Sequence, residues 1–129
     1  MSVEFEVPAR AEYVSLVRML AASLAATRRQ VDEERVDNLK LAVSEACTLL
    51  VEAEGSETRR LTMTWEEDDD ALTIEVHDGH QGTRLARADG PGEAAVVPFQ
   101  IIRALVDEVG IVTDDGREFL RLRMVCPPA

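Results

Sequence analysis

The chain opens on a two-residue period. In "VEFEV" the apolar positions Val3, Phe5 and Val7 alternate with acids and stop at Pro8, predicting a short strand with those three side chains turned inward. Pro8 then suits the first turn of a helix, where a missing N–H does no harm. Spacings of three and four follow: Val14, Val17, Leu20, Ala21 and Leu24 predict an amphipathic helix from about Ala9 to Gln30. Asp32 is a good N-cap for a second helix, with Glu33 and Glu34 at the positive end of its dipole. Its apolar stripe is Val36, Leu39, Val43, Ala46, Leu50 and Ala53, and Gly55 is a natural stop.

The period then returns to two. "RLTMTW" sets Leu61, Met63 and Trp65 on one face, and "ALTIEV" does the same with Leu72, Ile74 and Val76. The polar "EEDDD" between them predicts a hairpin. Residues 79 to 95 hold four glycines, one proline and no sustained period, which predicts a long loop of the kind that is usually functional. A third helix, about Val97 to Glu108, carries Phe99, Ile102, Leu105 and Val106. In "GIVTDDGREFLRLRM" the pair Asp115-Gly116 signals a closing hairpin, with Leu120, Leu122 and Met124 on one side of the last strand. The order β-α-α-β-β-loop-α-β-β, without repeat or linker, predicts an α+β two-layer sandwich: helices on one face of a mostly antiparallel sheet.

Composition narrows this picture. At 129 residues the chain is expected to be one domain, residues 1–129, able to bury about two-thirds of its unfolded surface. Hydrophobic residues make up 46% of it but aromatics only 4%, so the core must be aliphatic. The net charge of −11 repels phosphate backbones and anionic lipid, which argues against nucleic-acid and membrane partners and favours a basic protein. No run of 18 apolar residues exists, and "MSVEFEVPAR" lacks the basic-then-apolar order of a secretory signal. Cys47 and Cys126 fit no metal or redox spacing, and Cys47 reads as a small core residue. Together these point to the cytoplasm.

Few residues carry candidate chemistry. Glu45 is an acid inside the apolar helical stretch "LAVSEACTLLVEA"; taken by itself it is an ordinary helix acid. Asp78 before Gly79 either begins a turn or belongs to a site. His77 and His80 flank that pair, but two histidines without a third ligand read as polar loop residues rather than a metal centre. The acid-rich runs "VDEER" and "EEDDD" read as solvated surface, and Trp65, at strand spacing, as core.

Taken together, "LKLAVSEACT", "VHDG" and "IIRALVDEVGI" give the chain a resemblance over nearly its whole length. It resembles the anti-sigma factors of the serine-protein kinase type, small members of the GHKL superfamily of gyrase, histidine-kinase and chaperone ATPase domains. The resemblance implies the histidine-kinase-like ATPase (Bergerat) fold. The family's second-helix motif, Glu-Ala-x-x-Asn, supplies a general base and the Asn that holds a phosphate-bridging magnesium ion. Glu45 matches the base, and Leu49 stands where the Asn belongs. Leucine has no oxygen to offer a hard cation. The family's Asp-x-Gly-x-Gly, which binds adenine, is matched by Asp78 and Gly82, with His80 in the first glycine slot. The stretch "AAVVPFQII" stands where a glycine-rich lid is usual, and Gly116-Arg117 where Gly-Thr is usual.

The resemblance therefore implies a regulator that binds a sigma factor, a STAS-domain antagonist, or both, in a family whose members are typically homodimers. ATP or ADP would be its nucleotide, with magnesium binding weak or absent and kinase activity weak or lost. The alternative is an active ATP-dependent serine/threonine-protein kinase that phosphorylates the antagonist, with Glu45 as base and Asp78 as adenine anchor.

Overall fold

Two rows of apolar side chains run across a five-stranded sheet and account for most of its inner face. One row is Val3, Trp65, Ile74, Leu122 and Val109; the next is Phe5, Met63, Val76, Leu120 and Ile111. Each row takes one residue from each of β1 (Ser2–Pro8), β2 (Arg60–Glu67), β3 (Ala71–Asp78), β7 (Arg117–Val125) and β6 (Glu108–Asp114). The strand order is β1-β2-β3-β7-β6, and every pairing is antiparallel. These features come from a computed structural model that describes residues 1–28, 31–52, 60–78, 86–87, 90–91, 96–115 and 117–126, apart from the side chains of Glu52, Asp78, Ala86, Arg87, Pro91 and Arg117.

Three helices, α1 (Ala11–Ala25), α2 (Glu33–Glu52) and α3 (Val96–Leu105), cover that face, with α2 between the other two. Helix α2 buries Leu39, Ala42, Val43, Ala46, Cys47, Leu49 and Leu50, a stripe wide enough to meet both neighbours and β3. Trp65 is fully buried, as its strand spacing predicts. Each aliphatic side chain in this layer gains roughly 1.5–3 kcal/mol from leaving water, so the two rows and the α2 stripe dominate stability. The α+β sandwich read from the sequence is the fold observed, and the expected element order holds.

Several boundaries differ. Pro8 ends β1 instead of opening α1, which starts at Ala11 after an Arg10 N-cap without side-chain bonding. A proline tolerates the end of an edge strand because no partner needs its N–H. Helix α1 stops at Ala25, earlier than expected, because the chain turns there: Thr27 and Arg28 donate their amides to Leu24 and Ala25, and Thr27 Oγ1 donates to the Leu24 carbonyl at 2.7 Å. Leu20, expected inward, is 37% exposed, and Ala21 and Ala25 bury instead. Asp32 caps α2 as expected, its Oδ1 accepting the Arg35 amide at 2.9 Å.

Helix α3 ends at Leu105, and Asp107 already donates its amide to the Arg123 carbonyl, so β6 begins earlier than the hydrophobic pattern suggests. Asp115 takes a positive φ of 53° between β6 and β7, as an Asp-Gly hairpin turn requires. Within the stretch expected to be all loop, Ala86–Arg87 (β4) pairs antiparallel with Gly90–Pro91 (β5). The predicted stop at Gly55 and the stripe residue Ala53 lie outside the described residues.

Candidate functional site: one flank of α2 and the end of β3

Residues 35, 38, 42, 45 and 49 recur at three and four along α2 and so share one flank. The lower end of that flank faces α3: Arg35 Nη2 lies 3.4 Å from Asp107 Oδ2, just beyond the α3 C-terminus, and also donates to the Val125 carbonyl. Asp107 Oδ2 in turn accepts the Val125 amide at 2.7 Å. Arg35 thus ties the start of α2 to the end of α3 and the end of β7, which lies between β3 and β6.

Higher on the same flank, Glu45 is half-buried and has no side-chain hydrogen bond or ion pair among the described residues. One turn on, Leu49 is only 7% exposed and packs into the hydrophobic core. Among the described residues this proton acceptor thus has no partner, and a hydrocarbon side chain lies one turn, about 5.4 Å, further along the axis. Leu49 itself supplies no oxygen to a hard cation such as magnesium.

Asp78 is the last residue of β3, in register with Leu61 of β2. Its side chain, together with Gly79, His80, Gly82 and Gly116, lies outside the described residues. Helix α3 opens with Val96, Val97 and Pro98, with Val97 exposed. Pro98 falls in the first turn, where helices accept proline.

Two expectations about polar residues are corrected. His77 is not a loop residue; it lies on β3, stacked on Phe119 of β7 at 4.1 Å between ring centroids, with Nε2 3.3 Å from Glu75 Oε1. The run "EEDDD" is only partly solvated. The Glu67 side chain, 13% exposed, accepts the Trp65 indole N–H at 3.0 Å and lies 4.0 Å from Arg28, and Arg28 donates to the Asp68 carbonyl at 2.7 Å. Arg28 thus pins the β2–β3 turn to the α1–α2 connection. A buried arginine partner for an acidic turn leaves no local sequence signal, since the two residues are 40 apart.

A five-stranded antiparallel sheet under three helices, with the half-buried Glu45 on the middle helix and an aspartate ending the middle strand, defines a known class. The histidine kinase-like ATPase domain family matches residues 7–124, and the chain belongs to that family. Within it, the chain is similar to the serine-protein kinases RsbW of Bacillus cereus (strain ATCC 10987 / NRS 248), 27% identical, and of Bacillus thuringiensis subsp. konkukian, 26% identical; both alignments cover 95% of this chain and 84% of the relative. Among solved structures, the RsbU and RsbW domains of Rv1364c from Mycobacterium tuberculosis superpose with a TM-score of 0.74 over the whole chain at 17% identity. This chain spans 34% of that two-domain protein.

Proposed function

We propose that this chain is an anti-sigma-type regulator that binds a sigma factor, a STAS-domain antagonist, or both, and whose nucleotide pocket no longer holds magnesium at its phosphate end. The buried Leu49 carries this proposal. Phosphoryl transfer depends on metal and positioning rather than on covalent protein chemistry, and a hydrocarbon where the metal ligand belongs removes the first of these. Similarity to the RsbW serine-protein kinases supports the partner class, and the −11 charge suits a basic sigma segment. The regulator acts in the cytoplasm as a homodimer.

The retained Glu45 and the kinase names of the relatives favour one second function, an active serine/threonine-protein kinase acting on the antagonist. Calorimetric titration of the purified chain with ATP, with magnesium and with chelator, separates the two. Weak or absent binding that ignores magnesium is expected. Tight magnesium-dependent binding would restore the kinase. If adenine binding survives, Asp78→Asn should weaken it about ten- to hundredfold, since a charge-assisted hydrogen bond is worth roughly 1.5–3 kcal/mol.

A further inference from the structure

The outer surface of the helical layer carries hydrocarbon where α2 and α3 meet. On α2, Leu41 is 52% exposed; on α3, Val97 and Ile101 are 61% and 39% exposed. Helical residues follow one another about 100° apart, which puts Leu41 on the outward shoulder of the flank holding Glu45 and Leu49. On α3, Phe99 and Ile102 are buried, and Pro98 and Leu105 beside them are half-buried. That half-buried side is the one turned to α2, the helix packed against α3. Ile101 and Val97 come next around α3, on its outward shoulder.

The contact between Arg35 and Asp107 sets the level of the two helices. It joins the start of α2 to the end of α3, so the helices run antiparallel. From residue 35, α2 climbs about 9 Å to Leu41 and about 15 Å to Glu45. Equal climbs from residue 107 back along α3 reach Ile101 and Val97. Leu41 therefore stands across from Ile101, and Glu45 across from Val97. The groove between them has hydrocarbon on both sides and a single carboxylate. Glu45 is half-buried there, and no donor pairs with it among the described residues.

We infer that this groove holds a basic segment of a protein partner. A Lys or Arg of that segment pairs with Glu45, and an aliphatic side chain one turn away sits on Leu41 and Ile101. A partly desolvated carboxylate costs free energy until a cation meets it. Long basic side chains suit these surroundings, because their methylene stems pack on hydrocarbon such as Val97 while the charged end reaches the acid. The one-turn step from Leu41 to Glu45, matched by that from Ile101 to Val97, fits a helix laid along the groove. The net charge of −11 draws such a segment in. The inference rests on the reading of this chain as a regulator with a basic partner, and it gives Glu45 a use that needs no nucleotide.

Peptide selection on the purified full chain tests this. The probe is a phage-displayed library of random peptides about four helical turns long, and fluorescence anisotropy then measures the enriched sequences. These should carry Lys or Arg one turn from an aliphatic residue. Glu45→Gln and Val97→Lys should each weaken their binding about tenfold or more, whereas Leu16→Lys, on the exposed face of α1, should leave it unchanged. A peptide whose base is replaced by Glu should bind Glu45→Arg in preference to the wild type. Circular dichroism confirms that the variants fold. Failure to enrich basic sequences, or binding indifferent to Glu45→Gln and Val97→Lys, overturns the groove and leaves the regulator standing. Tight magnesium-dependent ATP binding overturns the regulator and the groove with it.

Discussion

Arg35 on α2 and Asp107 beyond α3 meet over the backbone of Val125: the arginine donates to its carbonyl, and the carboxylate takes its amide at 2.7 Å. The pair closes the far end of the helical layer onto the end of β7. Asp107→Ala should therefore destabilise the fold by about 1–2 kcal/mol, because the Val125 amide and the partly buried guanidinium both lose an acceptor. Urea unfolding would check it. A change below about 0.5 kcal/mol, the range of an ordinary surface substitution, would show that water replaces the carboxylate at no cost.

Leu49 makes two predictions at once. As a core residue, it should lose about 2–5 kcal/mol of stability on truncation to alanine. Leu49→Asn should cost about 1–3 kcal/mol, since the amide enters the core without an assured partner. It should also introduce some magnesium dependence into any ATP binding without restoring phosphoryl transfer, because the lid stretch still lacks glycine and Pro98 still opens α3. Paired titrations of wild type and variant, with magnesium and with chelator, read this directly. Recovered kinase activity in Leu49→Asn would show that one missing oxygen was the whole defect.

Burial pushes the Cys47 thiol up to about 12. A raised folded-state value means that the fold accommodates the neutral thiol; this contribution is complete below the ordinary thiol value of ~8.5 and is lost as pH rises toward the folded one. Native Cys47 should therefore resist thiol reagents and be labelled only as fast as the chain opens. Rapid labelling of Cys47, measured by peptide mapping under native conditions, would contradict the buried core described for α2.

Asp68 behaves in the opposite sense. The amides of Asp70 and Ala71, at 2.7 and 2.8 Å, hold its carboxyl below the ordinary value. A lowered folded-state value contributes stability above the ordinary carboxylate range, and that contribution disappears as pH falls through the lower, folded value. Below about pH 5 the wild type should lose stability more steeply than Asp68→Asn. Parallel acid profiles for the two proteins would remove the β2–β3 turn from the acid response.

The sheet was legible because its inner face alternates without interruption: the strand register follows from Val3, Met63, Ile74 and Leu120 falling on one parity each. The helix stripes were equally plain on α2. What the pattern could not show were contacts made at long range by polar residues. Nothing near Arg28 marks Glu67 as its neighbour, and nothing near His77 marks Phe119, 42 positions later, as its stacking partner. Helix ends escaped for a related reason, since they are fixed by single carbonyls and by the first rung of the next ladder. At the candidate site, the motif around Glu45 was readable, but the burial of Leu49 is a property of packing between α2 and its neighbours.

The strand order carries a consequence for how the chain is made. β7, which follows β6 in sequence, lies between β3 and β6, so the two sides of the sheet are joined only when residues 117–125 are available. Until then β3 has an open edge, and the first hairpin and the helices above it have no second half to pack against. A growing chain must hold Leu72, Ile74 and Val76 beside an unfilled edge for the length of the remaining synthesis. Long-range pairing of this kind is slow and exposes strand edges to the wrong partners. In the cell, the interval before the final strand emerges is when this protein most needs protection from aggregation.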